Sequence, residues 1–334
     1  MSSHQIVYLV FGIVLVIALV FDLGLLSKKN QVVTIKQALY QTFFWVGLAL
    51  LFFVFLWVEG PMLAAENKSV VASSGSQLAL EFLSAYLMEW SLSIDNIFVF
   101  ILIFTAFHVK AKHYPRVLLV GILMAIIFRV IFITVGVALV AKFEWVLYLF
   151  GVFLLYTGYK MFTTNEDEEF DPQTSRIYRM LQKMLPLVSH DGDGKYMLKE
   201  NGKTVYSSLF VVVILLAVID LVFALDSIPA VMGISKDSLV IYTSNIFAVL
   251  GLRSLFFLLR SAVSRFDYLQ QGIAVVLVFI GAKMLAEHYI SKWIDNNTQV
   301  IISLAVILVC ISGSIFYSIF MQKKGIPDDA GEDS

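Results

Sequence analysis

Four carboxylates stand where a lipid bilayer would make a charge costly. Glu89 and Asp95 lie in EWSLSIDN, inside the apolar run 78–105, and Asp220 and Asp226 lie in DLVFALDS, inside the apolar run 207–232. The spacing is six residues in both, and each second acid is followed by a polar side chain, Asn96 or Ser227. Ionisable groups inside membrane spans are rare, and they mark ion paths, proton relays or buried pairs. The five histidines (His4, His108, His113, His190, His288) fall in loops or at helix ends, and Cys310 is the lone cysteine. Thiolate or imidazole sites for copper or zinc are therefore poorly supplied, and an intramolecular disulfide is excluded. Carboxylate, amide and hydroxyl oxygens suit Mg²⁺, Ca²⁺ or Mn²⁺. Pro229, three residues after Asp226, removes an amide donor and clashes with the carbonyl of Leu225. A freed carbonyl beside the Asp226 carboxylate and the Ser227 hydroxyl makes a hard-cation site.

Four basic residues also fall inside apolar runs: Arg129, Lys160, Arg253 and Lys283. They extend the parallel between the two acidic stretches. Arg129 follows Asp95 by 34 residues and Arg253 follows Asp226 by 27; GYKMF, with Lys160, and GAKML, with Lys283, come 31 and 30 residues later. Rare intramembrane charges recur in one order, so two copies of a three-helix unit are expected. An odd number of helices per copy inserts the copies in opposite orientations, a recurring transporter plan with its polar site near the midplane.

These residues must be carried by membrane helices. Of 334 residues, 59% are hydrophobic and 15% charged, and the mean hydropathy is +0.85. A soluble domain is roughly 45–50% apolar and about 25% charged. The expected fold is an all-α polytopic membrane protein. A span needs about 20 apolar residues, and nine stretches qualify: 6–26, 38–58, 78–105, 117–140, 145–162, 207–232, 238–259, 269–290 and 299–320. The first lacks the basic start and small-residue cleavage site of a signal peptide and is expected to be a retained helix. The chain then divides into two N-terminal helices (1–60), a first repeat of helices 3–5 (78–162), an acidic segment (163–206), an inverted second repeat of helices 6–8 (207–290), and a last helix with its tail (299–334). Sixteen Lys and Arg lie in loops on one side and four (Lys68, Lys142, Lys236, Lys292) on the other. The positive-inside rule puts the N-terminus outside and the C-terminus in the cytoplasm. A net charge of −1 without a basic patch gives no reason to expect nucleic acid.

Glu89 sits about 11 residues into its span and Asp220 about 13 into its own, so at about 1.5 Å per residue both fall near the midplane. Asp95 and Asp226 would be displaced by about 9 Å toward opposite faces, giving a ladder of four carboxylates. Six residues turn a regular helix by about 600°, which leaves the paired acids about 120° apart unless the helix is distorted. Arg129 and Arg253 would pair with the acids when no cation is bound. Lys160 would snorkel to the interface, and Lys283 would pair with Glu287 one turn on. The remaining negative charge calls for a bound cation or protons.

EWSLSIDNIFVF, DLVFALDSIPAV, TSNIFAVLGLR at 243–253 and KYMLKENGKTVYS before helix 6 resemble the TerC/Alx family of bacterial integral membrane proteins, over roughly residues 75–320. The resemblance implies a nine-helix fold related to the LysE-type exporters, residence in the bacterial inner membrane, and export of manganese as substrate, with no permanently bound cofactor and no enzymatic activity. Carried over by motif, it points to Glu89, Asp95 and Asn96, to Asp220, Asp226 and Ser227, and to Asn245 and Arg253. It also implies links to metal supply for secreted proteins and to membrane-protein assembly. A non-transporting scaffold acting through 163–206 is the competing class, and a Ca²⁺ transporter would use the same ligands.

Other segments carry weaker signals. HDGDGKY at 190–196 resembles the opening of an EF-hand loop, but the position for its bidentate Glu is Gly202. The stretch YMLKENGKTVYS suits a β-hairpin turning at Asn201-Gly202. Glu81 and Asp22 are expected at the interfaces.

Overall fold

In a computed structural model, residues 3–22, 33–66, 75–143, 145–163, 176–188, 190–200, 203–260 and 268–324 are described; the side chains of Asp95 and Glu287 lie outside the described set. Among the described residues ten α-helices run in order: α1 Ser3–Phe21, α2 Ile35–Glu66, α3 Gly75–Ala106, α4 Tyr114–Lys142, α5 Trp145–Thr163, α6 Arg176–Met184, α7 Ser208–Ile234, α8 Ser238–Leu259, α9 Leu269–Ile290 and α10 Asn296–Lys324. Hydrocarbon offers backbone N–H and C=O groups no water, so the chain closes its own hydrogen bonds in helices.

Among the described residues, six helical stretches are long and apolar enough to cross a membrane: 35–59, 111–142, 145–162, 208–234, 238–259 and 298–321. Apolar helices at 6–21 and 271–286 are shorter. Helix α3 has 32 residues but carries Glu81, Glu89 and Asp95 along it. The first helix is described as far as Asp22; residues 23–26 of its apolar run lie outside the described residues.

The bundle is layered around α8. Its apolar window is 89% buried, against 17% for α10. Helix α3 packs on α8, α7, α2 and α10; α4 packs on α7 and α8; α5 packs on α9 and α7. The outer helices α1, α2, α5 and α10 leave many large apolar side chains exposed, as surfaces meant for lipid do. The α5–α9 approach depends on missing side chains: a Cβ added at Gly281 would lie 2.7 Å from the Gly151 carbonyl oxygen. Small residues let membrane helices come this close.

One end of the bundle carries a small folded module. Strands β1 Met197–Glu200 and β2 Lys203–Tyr206 pair antiparallel, Met197 opposite Tyr206 and Glu200 opposite Lys203; the Asn201-Gly202 turn lies outside the described residues. The preceding 3-10 turn, Gly192–Gly194, docks on the α3–α4 connection. Lys110 Nζ lies 2.7 Å from Asp191 Oδ2, and Arg116 donates to the Gly194 carbonyl at 3.1 Å. Gly194 has φ +84 and lies under the His113 ring, which a Cβ would meet at 2.8 Å. The aspartates of the EF-hand-like stretch thus serve an ion pair and a turn.

Candidate functional site

Arg129, on α4, is 2% exposed at the centre of the bundle. Its Nε and Nη2 grip Asp220 of α7 as a fork, at 2.6 Å to Oδ2 and 3.1 Å to Oδ1. Its Nη1 donates to Glu89 Oε2 of α3 at 2.9 Å and to Asn245 Oδ1 of α8 at 3.1 Å. The Asn245 amide closes the ring by donating to Glu89 Oε1 at 2.7 Å. Four helices therefore meet in one polar knot whose members are all buried. A planar guanidinium suits bidentate capture of carboxylates. In a dry interior such a cluster holds only because nearly every polar atom has a partner.

Formal charge decides what the knot can do. Two carboxylates face one guanidinium, so the fully ionised set carries −1. Every carboxylate oxygen is engaged, and Arg129 stands where a cation would sit between Glu89 and Asp220. A cation entering there must displace the guanidinium, and would find carboxylate and amide oxygens, ligands suited to hard divalent ions. In the present arrangement no group of three or more His, Cys, Asp or Glu is poised to hold a metal among the described residues.

The remaining expected site residues fall elsewhere. Asp226 is half-buried and accepts a hydrogen bond from Thr157 of α5 at 3.2 Å. Helix α7 runs unbroken through Pro229 to Ile234, so the six-residue spacing keeps its offset, and Asp226 turns toward α5 while Asp220 turns toward α4. The two acids of α7 do not form rungs of one ladder. Asp95 cannot be compared, since its side chain lies outside the described residues. Asn96 and Ser227 are buried. The faces that continue the knot are spaced i, i+4, i+7: Glu89, Ser93 and Asn96 on α3, and Asp220, Ala224 and Ser227 on α7. Ser84, Ser91 and Thr243 satisfy their hydroxyls on the carbonyl four residues back. Ser93 Oγ and Ser227 Oγ are buried without a hydrogen-bond partner.

Arg253 departs from expectation. It pairs with Asp22, at 3.0 Å, with both side chains buried. Asp22 is thus covered by protein, flanked by Gln41 and Trp45 of α2. Lys283 donates to Ser303 Oγ at 3.1 Å and to the Gly233 carbonyl at 3.4 Å; Glu287, its expected partner, is outside the described side chains. Lys160 is exposed on α5.

Glu81 is also covered by protein. It is 7% exposed and takes hydrogen bonds from Gln77 Nε2 at 2.9 Å and from Ser235 Oγ. Ser235 in turn accepts from the Asp237 amide, and Asp237 caps α8 through Leu239 N. The i, i+4 spacing of Gln77 and Glu81 was the sequence signal for this contact; nothing local pointed to Ser235.

Residues 74–325 match the integral membrane protein TerC family. The chain belongs to that family. It is 39% identical over 308 residues to an uncharacterized membrane protein of Rickettsia felis, covering 92% of this chain and 97% of the relative. A Myxococcus xanthus membrane protein is 38% identical, with 93% and 91% covered. Alx of Escherichia coli, whose name proposes a membrane-bound redox modulator, is 37% identical over 316 residues, with 94% and 96% covered. No solved structure matches the chain.

Proposed function

We propose that this TerC-family protein is a secondary transporter that exports a divalent cation from the cytoplasm, with Mn²⁺ first among the hard ions, by alternating access. The observation that carries this reading is the Arg129 knot: two buried carboxylates from separate parts of the chain converge on one guanidinium. Arg129 then acts as the resident countercharge of the ion-free state. When the substrate enters, Glu89, Asp220 and the Asn245 amide oxygen hold it, and the guanidinium swings away. The faces bearing Asn96 and Ser227 lead from the centre toward the two membrane surfaces, and the unpartnered Ser227 hydroxyl has oxygen lone pairs to offer a passing ion. An emptied acidic site draws protons, so exchange against protons follows.

Nine spans and two inverted repeats belong to this reading, and the pairing of the two three-helix stretches is what two copies of one unit would give. Each helix of 75–163 packs on its counterpart in 208–290, as α3 on α7, α4 on α8 and α5 on α9, and α3 on α8 is mirrored by α4 on α7. Lys and Arg asymmetry supports an inner-membrane orientation with the N-terminus outside. Manganese over Ca²⁺ or Mg²⁺ rests on the family resemblance. A redox role of the kind in the Alx name would act through the exported metal here, since a single cysteine supplies no dithiol pair within the chain.

The scaffold reading has one observation in its favour: the module at 176–206 is folded and docked, a surface that secretion machinery or secreted metalloproteins could use. Uptake of Mn²⁺, Ca²⁺ and Mg²⁺ into inverted vesicles separates the two. Transport predicts Mn²⁺ uptake that is driven by a pH gradient, abolished by Asp220→Asn and largely kept when the hairpin is disrupted. No uptake of any of the three ions by correctly inserted protein would favour the scaffold.

A further inference from the structure

Helix α6, RIYRMLQKM, lies within the long polar segment between α5 and α7 and touches no part of the ion site. Its inner contact is Tyr178, whose ring meets Phe107 of the α3 end edge-on at 5.4 Å, and the helix packs on α7. That leaves two stripes facing outward. Arg179 and Lys183, four apart, are both exposed. Met180 and Met184, also four apart, are 54% and 70% exposed. At about 100° per residue the stripes lie side by side, about 100° apart.

Two bare methionines have no reason to face water on so small a helix. Basic residues beside an apolar stripe form the pattern of a helix lying in a bilayer surface, with apolar side chains at the acyl boundary and cations at the phosphates. Position agrees with this. The helix sits at the end of the bundle where α7 begins, and α5 brings an exposed apolar surface, Tyr156, Tyr159 and Phe162, to the segment that leads into it. The 3-10 turn and hairpin behind it are fastened to the α3–α4 connection through Lys110, Asp191 and Arg116. The Tyr178–Phe107 contact and the packing on α7 hold the helix at the end of the bundle where α3 stops and α7 begins.

We propose that α6 is an interfacial helix that binds anionic phospholipid headgroups, with Met180 and Met184 inserted at the acyl boundary and Arg179 and Lys183 on the phosphates. Lipid is favoured over a protein partner by the basic stripe, which complements anionic headgroups, and by the place of the helix at the end of a bundle whose outer helices face lipid. Anionic lipid near the helix adds an attraction for each basic residue, so charge composition should matter as well as the apolar contact.

The test uses full-length protein carrying Cys310→Ser, with Met184→Cys bearing an environment-sensitive fluorophore. It is reconstituted in phosphatidylcholine vesicles with or without phosphatidylglycerol. Brominated acyl chains and aqueous iodide serve as competing quenchers. Quenching by brominated lipid, several-fold stronger with phosphatidylglycerol and reduced to the phosphatidylcholine level by Arg179→Gln with Lys183→Gln, is the expected result. Val309→Cys, on the 71% exposed position of α10, reports correct insertion through quenching in both lipids. With that control quenched, iodide quenching alone at 184 would overturn the proposal by placing the helix in water. Protection from both quenchers would overturn it too, by placing protein over the methionines.

Discussion

The two three-helix stretches, 75–163 and 208–290, each bury one arginine on the middle helix, yet the two arginines keep different company. Arg129 holds Glu89 and Asp220 at the centre. Arg253 reaches Asp22, which belongs to neither stretch. The difference arises because α1 and α2 cover one side of the bundle and bring a carboxylate of their own to α8. A shared sequence device thus yields a two-acid knot in one place and a pair with Asp22 in the other. The knot, with two carboxylates on one guanidinium, is the one that the proposed function has trade its guanidinium for a divalent ion.

The comparison breaks first at Arg129. Arg129→Met leaves two buried carboxylates without their counter-ion, and losing one partner of a buried pair costs about 3–5 kcal/mol. A large drop in thermal stability, read by the melting of purified protein in detergent, is expected together with loss of transport. Asp220→Asn in the same chain should restore much of the stability while transport stays absent. If stability returned with transport, the acids would be structural.

Arg253→Gln should also destabilise, by up to about 3 kcal/mol, and Asp22→Asn should rescue it. Here the double variant keeps Mn²⁺ uptake, because the pair lies outside the ion's path. Asp226→Asn comes next. It alters one hydrogen bond to a neutral Thr157, worth about 0.5–1.5 kcal/mol, and should slow uptake several-fold where Asp220→Asn abolishes it. Equal loss in both would return Asp226 to the central site.

The smallest effect belongs to the docked turn. Asp191 lies below the usual carboxylate range, chiefly because Lys110 donates a hydrogen bond to it. A carboxyl depressed in the folded state adds stability that is complete above its unfolded value of about 3.9 and is lost as pH falls through the lower folded value. Protease sensitivity of residues 176–206 should therefore rise only in acid, below about pH 4. Lys110→Ala should flatten that acid rise and leave the segment more protease-sensitive at neutral pH.

What could be read in advance follows the cost of charge. Glu89, Asp220 and Arg129 stood out because apolar runs seldom contain such residues; depth placed the two acids together, and Arg129 was expected to pair with them. The 120° offset already argued against a single ladder, and Asp226 turned toward Thr157 follows from it. The Arg253–Asp22 pair was hidden because its members are far apart in sequence and meet only through the packing of α1 and α2. That Glu81 is covered could not be read from its depth along α3; the α7–α8 connection, through Ser235, covers it. Helix α6 was missed since nine residues between acidic and polar stretches carry too little apolar signal to stand out.

The most direct test compares Mn²⁺ uptake into inverted vesicles by the parent, by Glu89→Gln and by the Asp22→Asn/Arg253→Gln double variant, at equal insertion. The account predicts uptake by the parent and the double variant and none by Glu89→Gln. Uptake that survives in Glu89→Gln, or that disappears in the double variant while Glu89→Gln retains it, would contradict the assignment of the Arg129 knot as the ion's path.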